Sequence, residues 1–427
     1  ATAFIHADLL DNTDGDIFPL GSDELLLRAA KLINQGGNLY GENNVSLSLA
    51  DSLSNNDGNI FSGNKLDVTA ANLLNRGGSL SSGNSLLLTL DSLINAGSET
   101  DSAVEGLISS ESVVLAANSL DNLQGGRIQG NYLTVTGTAL TNNSTIASYA
   151  DADNAFVLAF DQIYNTGHLE SSGENWRINT GVLSNEGGVI LHRGNGDLLL
   201  FVDQLINHND GLIDAANRLE VQAQTVDNTQ GFIVARGDSA SLINAEQLDN
   251  ADGYINADDL TISGITLTNE KGEISGKSVS LNVNAIKNID GSMIADSLTI
   301  QADRLDNLQS EPNSSYIHAT DLSINAQLLN NHAIIQGQQL ILTGNALHNE
   351  GGSILSFGEY GESLQLQFSD VITNRDGRIE SWGSDLQIVG NLHNQYGKVI
   401  LAGSGVLSLE NLTDNASGEI FSIGDLK

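Results

Sequence analysis

The chain has 427 residues and a formal net charge of −36, and it contains 45 Gly, 2 Pro and no Cys. Without Cys, neither disulfides nor thiolate metal sites can form. The negative charge argues against nucleic acid and anionic membranes as partners, because binding to them requires clustered Lys and Arg. No uncharged apolar run reaches the length of a membrane-spanning helix, so membrane insertion is not expected.

The first recurring element is the triplet Leu-x-Asn, which starts with Leu10–Asn12 and returns along the whole chain, mostly at intervals of 19 to 23 residues. A fixed period in this range is typical of solenoids, in which each repeat stacks on the next. The Asn residues of successive copies are Asn12, Asn34, Asn55, Asn75, Asn95, Asn122, Asn142, Asn165, Asn185, Asn207, Asn228, Asn250, Asn269, Asn288, Asn307, Asn330, Asn349, Asn374 and Asn394.

The triplet has the pattern of a short strand. Its first residue is apolar in every copy, including Leu328 of the copy that ends at Asn330, whereas its middle residue varies from Asp11 to Ile33 and Lys287. Since side chains alternate between the two faces of a strand, the first residue must point inward and the second outward. The Asn that follows is expected at a corner, where it tolerates the left-handed conformation better than other non-Gly residues.

Two further pieces complete each repeat. After the Asn and a short polar gap comes Gly-x-Ile or Gly-x-Leu, as in Gly58–Ile60, where Gly provides either a positive φ or room for close stacking. A third piece then alternates apolar and polar residues, as in Leu133–Val135 and Leu364–Phe368. Each unit is therefore predicted to contain three short strands separated by three corners.

These units predict an all-β fold, a right-handed parallel β-helix of about 20 coils of about 20 residues. Residues 1–427 are expected to form one continuous β-helix, a rod on the order of 100 Å long. The Asn side chains at one corner can form a ladder, as Asn does in cross-β stacks. The predicted structural ladder is Asn34, Asn55, Asn75, Asn95, Asn122, Asn185, Asn207, Asn228 and Asn250, and the predicted structural core is Leu73, Leu93, Leu120, Leu183, Leu205 and Leu248.

Small insertions interrupt the repeat at residues 98–104, 147–155, 309–315 and 356–363. They are short, and tolerated loop insertions are favoured over ligand-binding loops. Apolar residues in the outward position of the triplet offer a row for lateral contacts, although single exposed apolar residues are normal. They are Ile33, Leu74, Ile94, Ile206 and Leu329.

Catalysis is an alternative, because some parallel β-helices are polysaccharide lyases or hydrolases. Asp210, Asp214 and Arg236 lie in neighbouring repeats and are the candidates for such a site. The acidic residues are nevertheless spread over all corners, and the insertions are too short to wall a cleft. The sequence therefore predicts no catalytic residues, no cofactor and no metal, and a carbohydrate-active enzyme remains the alternative to a structural segment.

Metal sites find equally little support. The stretch Asp11–Asp16 has part of a calcium-loop pattern but lacks the first Asp and the bidentate Glu that an EF-hand needs. The eight His residues are scattered, and each is predicted to lie on solvated surface. Weak cation binding by acidic corners stays open.

Several copies, such as Leu73–Leu80, Leu120–Ile128, Leu183–Ile190 and Leu347–Ile354, resemble filamentous haemagglutinin repeats, and the resemblance covers essentially the whole chain. That family comprises very large exoproteins of Gram-negative bacteria. The resemblance implies virulence-associated proteins that are exported by two-partner secretion and act as adhesins or as stalks of contact-dependent growth inhibition effectors.

The resemblance also implies the partners. An outer-membrane two-partner secretion transporter would recognise a separate N-terminal domain, and a surface receptor or glycan on a host or neighbouring cell would be the target. Localisation is expected to be secreted or at the bacterial cell surface. Because neither end shows a cap over its edge strands, the sequence is expected to be a fragment of a longer rod. It predicts a stalk or adhesive segment that mediates attachment or presents a receptor-binding or toxin region.

Overall fold

A computed structural model describes residues 2–21, 23–358, 363–382, 385–402 and 405–425 of the chain. Over these ranges the chain forms strands and corners without any helix, and the strands pair in parallel between stacked coils of a β-solenoid with about 19 turns. The predicted all-β solenoid fold is confirmed, while its right-handedness and its continuity as one body stay predictions. Among the described residues, no helix has the length and apolar character needed to cross a membrane.

The coils group into two compact units. The first comprises Ala1–Ile206 and Asp210–Asn217. Its strands are β1 (Thr2–His6), β2 (Leu9–Asp11), β3 (Asp16–Ile17), β4 (Glu24–Ile33), β5 (Asn38–Gly41), β6 (Asn44–Ser54), β7 (Asn59–Ser62), β8 (Lys65–Arg76), β9 (Ser79–Ser82), β10 (Ser85–Ala96), β11 (Gly106–Asn122), β12 (Gly126–Thr136), β13 (Ala139–Asn142), β14 (Thr145–Ser148), β15 (Phe156–Ala159), β16 (Gln162–Asn165), β17 (His168–Ser171), β18 (Trp176–Ser184), β19 (Val189–His192), β20 (Asp197–Ile206) and β21 (Leu212–Ala215).

The second unit comprises Asn207–Asn209 and Arg218–Lys427. Its strands are β22 (Arg218–Asp227), β23 (Phe232–Ala235), β24 (Ser241–Asp249), β25 (Tyr254–Ala257), β26 (Asp259–Glu270), β27 (Glu273–Ile289), β28 (Ser292–Leu308), β29 (Tyr316–Asn331), β30 (Ile334–His348), β31 (Ser353–Ser356), β32 (Ser363–Thr373), β33 (Arg378–Ser381), β34 (Asp385–His393), β35 (Lys398–Leu401), β36 (Gly405–Asp414) and β37 (Glu419–Ser422).

A regular coil contains one short and one long strand, as β7 and β8 show. The short strand corresponds to the Gly-x-Ile piece, and the 12-residue β8 joins the alternating piece to the next Leu-x-Asn triplet. Two successive residues that are not buried, Ala71 and Asn72, mark the bend inside β8. The third predicted corner is therefore a bend within one strand, because the parallel pairing with β10 continues on both sides of it.

Register between coils places the inward apolar residues in continuous rows. In the first unit the triplet residues Leu73, Leu93, Leu120, Leu183 and Leu205 belong to one row, and each is at most 2% exposed. In the second unit Leu248 pairs with Val226 and Leu267 and is 3% exposed. These rows bury an aliphatic core that no single coil could form.

One triplet was assigned incorrectly. Leu329, not Leu328, aligns with Leu305 and is fully buried, and Asn331, not Asn330, aligns with Asn307. The sequence Leu-Leu-Asn-Asn permits both registers, and a shift of one residue exchanges the faces of a strand. Leu329 is consequently a core residue and not one of the outward apolar residues.

The Leu-x-Asn corner also differs from expectation. The left-handed residue is the second one after the Asn, for example Asp57 with a φ of 51° after Asn55, and no Asn of the predicted ladder has a positive φ. The Gly that follows is required for close stacking, because a Cβ on Gly58 would lie 1.9 Å from the backbone oxygen of Asn34 in the preceding coil. Of the two roles expected for this Gly, a positive φ or room for close stacking, Gly58 has the second.

Candidate functional site

The predicted Asn ladder lies inside the corner. All nine predicted Asn residues are 0% exposed. Asn55 is representative, since its Nδ2 donates to Asn75 Oδ1 of the next coil at 2.8 Å and to the Gly58 oxygen of its own corner at 3.1 Å. The same donation links Asn12 through Asn185 in the first unit and Asn207 through Asn415 in the second. The nine predicted amides hold the corner together and are shielded from solvent, whereas Asn415 at the end of the ladder is exposed.

The three catalytic candidates differ in exposure and in the unit to which they belong. Asp210 and Asp214 belong to the first unit and Arg236 to the second. Asp214 is 6% exposed within β21, whereas Asp210 is exposed at a corner with a φ of 64°. In the described part of the chain, no group of three or more His, Cys, Asp or Glu residues has the arrangement of a metal site.

His192 contradicts the prediction that every His lies on solvated surface. It is 0% exposed, and neither of its ring nitrogens has a hydrogen-bond partner. Its ring centroid lies 6.3 Å from that of the buried Trp176, which stacks on Phe156 at 4.9 Å. Desolvation lowers the pKa of His192 below its ordinary value, with weaker opposing contributions from backbone groups of the surrounding loops and from Asp197. Register alone could have revealed this, since His192 aligns with the buried Ser171 and Ala215.

The predicted insertions occupy two kinds of corner. Residues 98–104 and 309–315 widen the corner after the ladder Asn. The second loop packs on the preceding corner, where Asp290 accepts hydrogen bonds from the hydroxyls of Ser310 and Ser314. Within 147–155, the first two residues belong to β14, so that the loop itself is 149–155. Ser356 and Ser363 likewise belong to strands, and residues 359–362 of that insertion lie outside the described residues.

The outward apolar residues do not form an unbroken row. Leu74 and Ile94 are paired neighbours and half-buried, but Ser54 precedes them and Asp121 follows in the same register. A lateral contact surface on this face stays a prediction.

Aromatic rings stack on the outer face of the first short strands. Tyr40 lies between Phe18 and Phe61, with ring centroids 5.9 and 5.3 Å away. Phe61 pairs in register with Ser81, which pairs with Ser109, which in turn pairs with Gln129. We call the outward row from Phe61 to Gln129 the outer track.

The outer track ends at a surface hollow of about 330 Å³, which we call the Tyr149 hollow. Its lining combines hydroxyl, amide, carboxylate and aromatic groups: Ser82, Ser109, Ser110, Glu111, Gln129, Gly130, Asn131 and Tyr149. No sequence motif groups these residues, because they come from four coils. The only signal was the insertion predicted at 147–155, whose loop begins at Tyr149 in the structure.

A second hollow of about 300 Å³ lies in the second unit and is lined by Asn282, Val283, Asn284, Gln301, Ala302, Asp303, Asn325 and Gln327. Unlike the Tyr149 hollow, it has no aromatic residue in its lining. Neither hollow includes Asp210, Asp214 or Arg236.

A family model described as haemagglutinin repeat matches residues 20–57, 40–112, 91–173, 177–311 and 317–358, which is well over half of the chain. The chain belongs to the haemagglutinin repeat family. The resemblance inferred from the Leu-x-Asn copies is thereby confirmed. No curated protein and no solved structure matches the chain.

Haemagglutinin repeats are an adhesin family and not an enzyme family, and their proteins are typically secreted or surface-exposed. The repeat and the solenoid fold fit an adhesin-like segment.

Proposed function

We propose that this chain is a stalk-like adhesive segment of a large bacterial exoprotein that acts outside the cell. The observation that carries the proposal is the repeated match of the haemagglutinin-repeat model between residues 20 and 358, with only short gaps at 174–176 and 312–316. In such a chain the inward side chains and the Leu-x-Asn corner stabilise the fold. The outward side chains of the coils are therefore available for contacts.

The polar groups of the corners support a mechanical role. The ladder amides are buried and hydrogen-bonded to the neighbouring coils, so each coil templates the next through both backbone and side chains. The absence of Cys is compatible with export as an unfolded chain. We therefore propose a two-partner secretion transporter as the export partner and a receptor or glycan on another cell surface as the target.

Two roles of the parent protein fit this segment, an adhesin and a toxin-delivery stalk for contact-dependent growth inhibition. In both, the segment holds a binding region away from the producing cell. The enzymatic alternative would place its chemistry on Asp210, Asp214 and Arg236.

Attachment tests the proposal directly. Beads that carry the purified chain are expected to bind mammalian or bacterial cells several-fold better than beads that carry an acidic globular protein of similar net charge. Equal binding of both kinds of bead to every cell type tested would contradict the adhesive role.

An assay for cleavage of uronate polymers serves as the opposing test. We expect no turnover by the chain. Turnover that disappears in Asp214→Ala would replace the adhesive segment by a carbohydrate-active enzyme.

A further inference from the structure

We propose that the Tyr149 hollow and the outer track form a binding site for an uncharged chain of pyranose sugars. This inference rests on the proposed adhesive function and names the chemistry of its target. Three features of the first unit support it: a fixed aromatic wall, a polar floor of mixed donors and acceptors, and an open track that leads to a second aromatic ring.

The aromatic wall is held in place by the loop 149–155. Tyr149 N donates to Gly130 O at 3.0 Å, and Ala150 N donates to Asn131 O at 3.1 Å, so the start of the loop is tied to the coil below. Ser148 Oγ adds bonds to Asn131 O and to Ala155 O at the end of the loop, at 2.8 and 2.9 Å. The position of Tyr149 is therefore fixed before any ligand arrives, which lowers the entropic cost of binding.

The ring itself remains accessible, since Tyr149 is 42% exposed. Arg127 orients it, because Nη2 donates to the Tyr149 hydroxyl at 3.2 Å while Nε donates to Gln129 Oε1 at 2.6 Å. An aromatic face carries partial negative charge and attracts the weakly positive C–H face of a sugar ring. A single exposed Tyr would be unremarkable, but this ring stands at the edge of a polar hollow.

The floor of the hollow provides both donors and acceptors. Asn131 Nδ2 donates to Glu111 Oε2 at 2.7 Å, and the hydroxyl of Ser109 and the amide of Gln129 stand beside them. Gly130 leaves this floor free of a side chain, and a Cβ there would lie 2.9 Å from the Ser110 oxygen. Sugar hydroxyls both donate and accept, so they match such a mixed floor better than a ligand of one polarity.

The outer track extends the site along the stack of coils. Ser81 and Ser109 are small and separate the ring of Phe61 from Gln129, below Tyr149. At about 4.8 Å per coil, the four steps from the Phe61 coil to the Tyr149 coil span roughly 19 Å. Aromatic rings at both ends of a hydroxyl-lined track suit a linear oligosaccharide whose sugar rings follow one another.

Charge selects among saccharides. The chain carries a net charge of −36, and Glu111 contributes a carboxylate to the hollow itself. Among the side-chain contacts of Tyr149 and Gln129, the one cation is Arg127. Its single positive charge is offset by Glu111, so the net negative charge of the chain dominates at the hollow. Uronate or sialylated chains would therefore be repelled, and neutral hexose or N-acetylhexosamine chains are favoured.

The test is a titration of the full chain with cellotetraose, chitotetraose and tetragalacturonate, followed by calorimetry or NMR. At least one neutral tetrasaccharide is expected to bind, with tetragalacturonate about tenfold weaker or more. Tyr149→Ala is expected to weaken neutral binding by about tenfold or more, while Tyr149→Phe keeps the ring and retains most of the binding.

Tyr164→Ala is the matched control. Tyr164 is 43% exposed in the same unit, but its hydroxyl bonds to Gln162 and it does not line the hollow. The affinity of the Tyr164→Ala variant for the neutral tetrasaccharide is expected to stay within about twofold of that of the unaltered chain. Equal losses in the Tyr149 and Tyr164 variants, or equal binding of tetragalacturonate, would overturn the assignment.

The outcomes also separate this inference from the proposed function. If no probe binds at about 10 mM while chain-coated beads still attach to cells, the sugar site is wrong and the adhesive role stands. If tetrasaccharides bind through Tyr149 but the beads attach to no cell, the site stands and the adhesive role is wrong.

Discussion

Two stretches of the first unit differ most in the corner that follows the short strand, while the Asn ladder runs through both. In the coils that begin at Asn34, Asn55 and Asn75, the short strands end at Gly41, Ser62 and Ser82, and the next strand starts three residues later. In the coils that begin at Asn142, Asn165 and Asn185, the short strands end at Ser148, Ser171 and His192, and loops 149–155, 172–175 and 193–196 follow.

The hydrogen bonds of the Asn ladder have nearly the same length in both stretches. Asn34 donates to Asn55 at 2.8 Å in the regular stretch, and Asn142 donates to Asn165 at 2.7 Å in the irregular one. The corner after the short strand thus accepts long loops and large inward side chains, including Trp176 and His192, because the Leu-x-Asn corner fixes the coil independently. Binding surfaces can vary at one corner without loss of the fold.

The largest expected effect comes from removing the buried ring of the irregular stretch. Trp176→Ala is expected to cost about 3–5 kcal/mol, because Trp176 is fully buried and stacks on Phe156 at 4.9 Å. The loss should stay local, since coils of a solenoid contact only their neighbours. Native-state hydrogen exchange at the amides of β18 and β20 measures it, and the amides of β8 should keep their protection. A loss below about 1 kcal/mol would show that the wide corner can close over the cavity.

The next largest effect is expected at the buried Asn ladder of the regular stretch, and an exposed pair of Asn residues serves for comparison. Asn75 is buried, accepts from Asn55 and donates to Asn95, both at 2.8 Å. Asn75→Ala is expected to cost about 1–3 kcal/mol for each polar group that it leaves buried without a partner.

Asn64→Ala is the control for this prediction. Asn64 Nδ2 also donates to an Asn of the adjacent coil, Asn44, at 2.9 Å, but on the exposed surface. Its loss should change stability by no more than about 0.5 kcal/mol. Similar shifts of the thermal midpoint for the two variants would mean that burial does not give the corner ladder its strength.

A smaller effect is the pH dependence of stability, which we expect to differ between the two stretches because of His192. The pKa of His192 is lowered by burial, so the unfolded chain binds more protons below about pH 6.5 and stability falls as the pH decreases through that range. His192→Ser introduces the residue found at Ser171 in the same register. The thermal midpoint of the variant should therefore fall less than that of the unaltered chain between pH 7 and pH 5.5. Parallel curves would indicate that His192 becomes protonated without opening its corner.

The smallest effect concerns the other kind of wide corner, loop 309–315. Hydroxyl donation from Ser310 and Ser314 lowers the pKa of Asp290 to about 2. Its stabilising bonds are thus complete above the ordinary value of 3.8 and are lost as the pH falls from there to about 2. NMR titration of the Asp290 carboxyl in Ser314→Ala should show a pKa closer to 3.8, and an unchanged pKa would contradict the hydroxyl contact.

Local patterns predicted much of the fold. The spacing of Leu-x-Asn predicted the length of each coil. The contrast between the first and middle triplet positions, as at Leu73 and Leu74, predicted which side chains point inward and outward, because alternation along a strand is a property of adjacent residues. The same reasoning failed at Leu328–Asn331, where two registers are locally equivalent and only pairing with the adjacent coil distinguishes them.

The candidate site was much less predictable. The loop at 149–155 was visible as an insertion, but Gln129, Glu111 and Asn131 carried no motif. They meet because strand register brings residues about 20 positions apart onto adjacent coils. The burial of His192 was missed for the same reason, since it follows from what lies above and below it in the stack.

The amino-acid order alone determined that the chain coils, where the Leu-x-Asn corner recurs and which triplet residues point inward in every copy but the one at Leu328–Asn331, since these follow from short-range periodicity in polarity. Only the tertiary structure decided which glycines stack closely, which Asn continues the ladder at residue 331, and that Tyr149 faces a polar hollow. Those features depend on distances between coils, and such distances are set by hydrogen bonding between strands and not by any single segment.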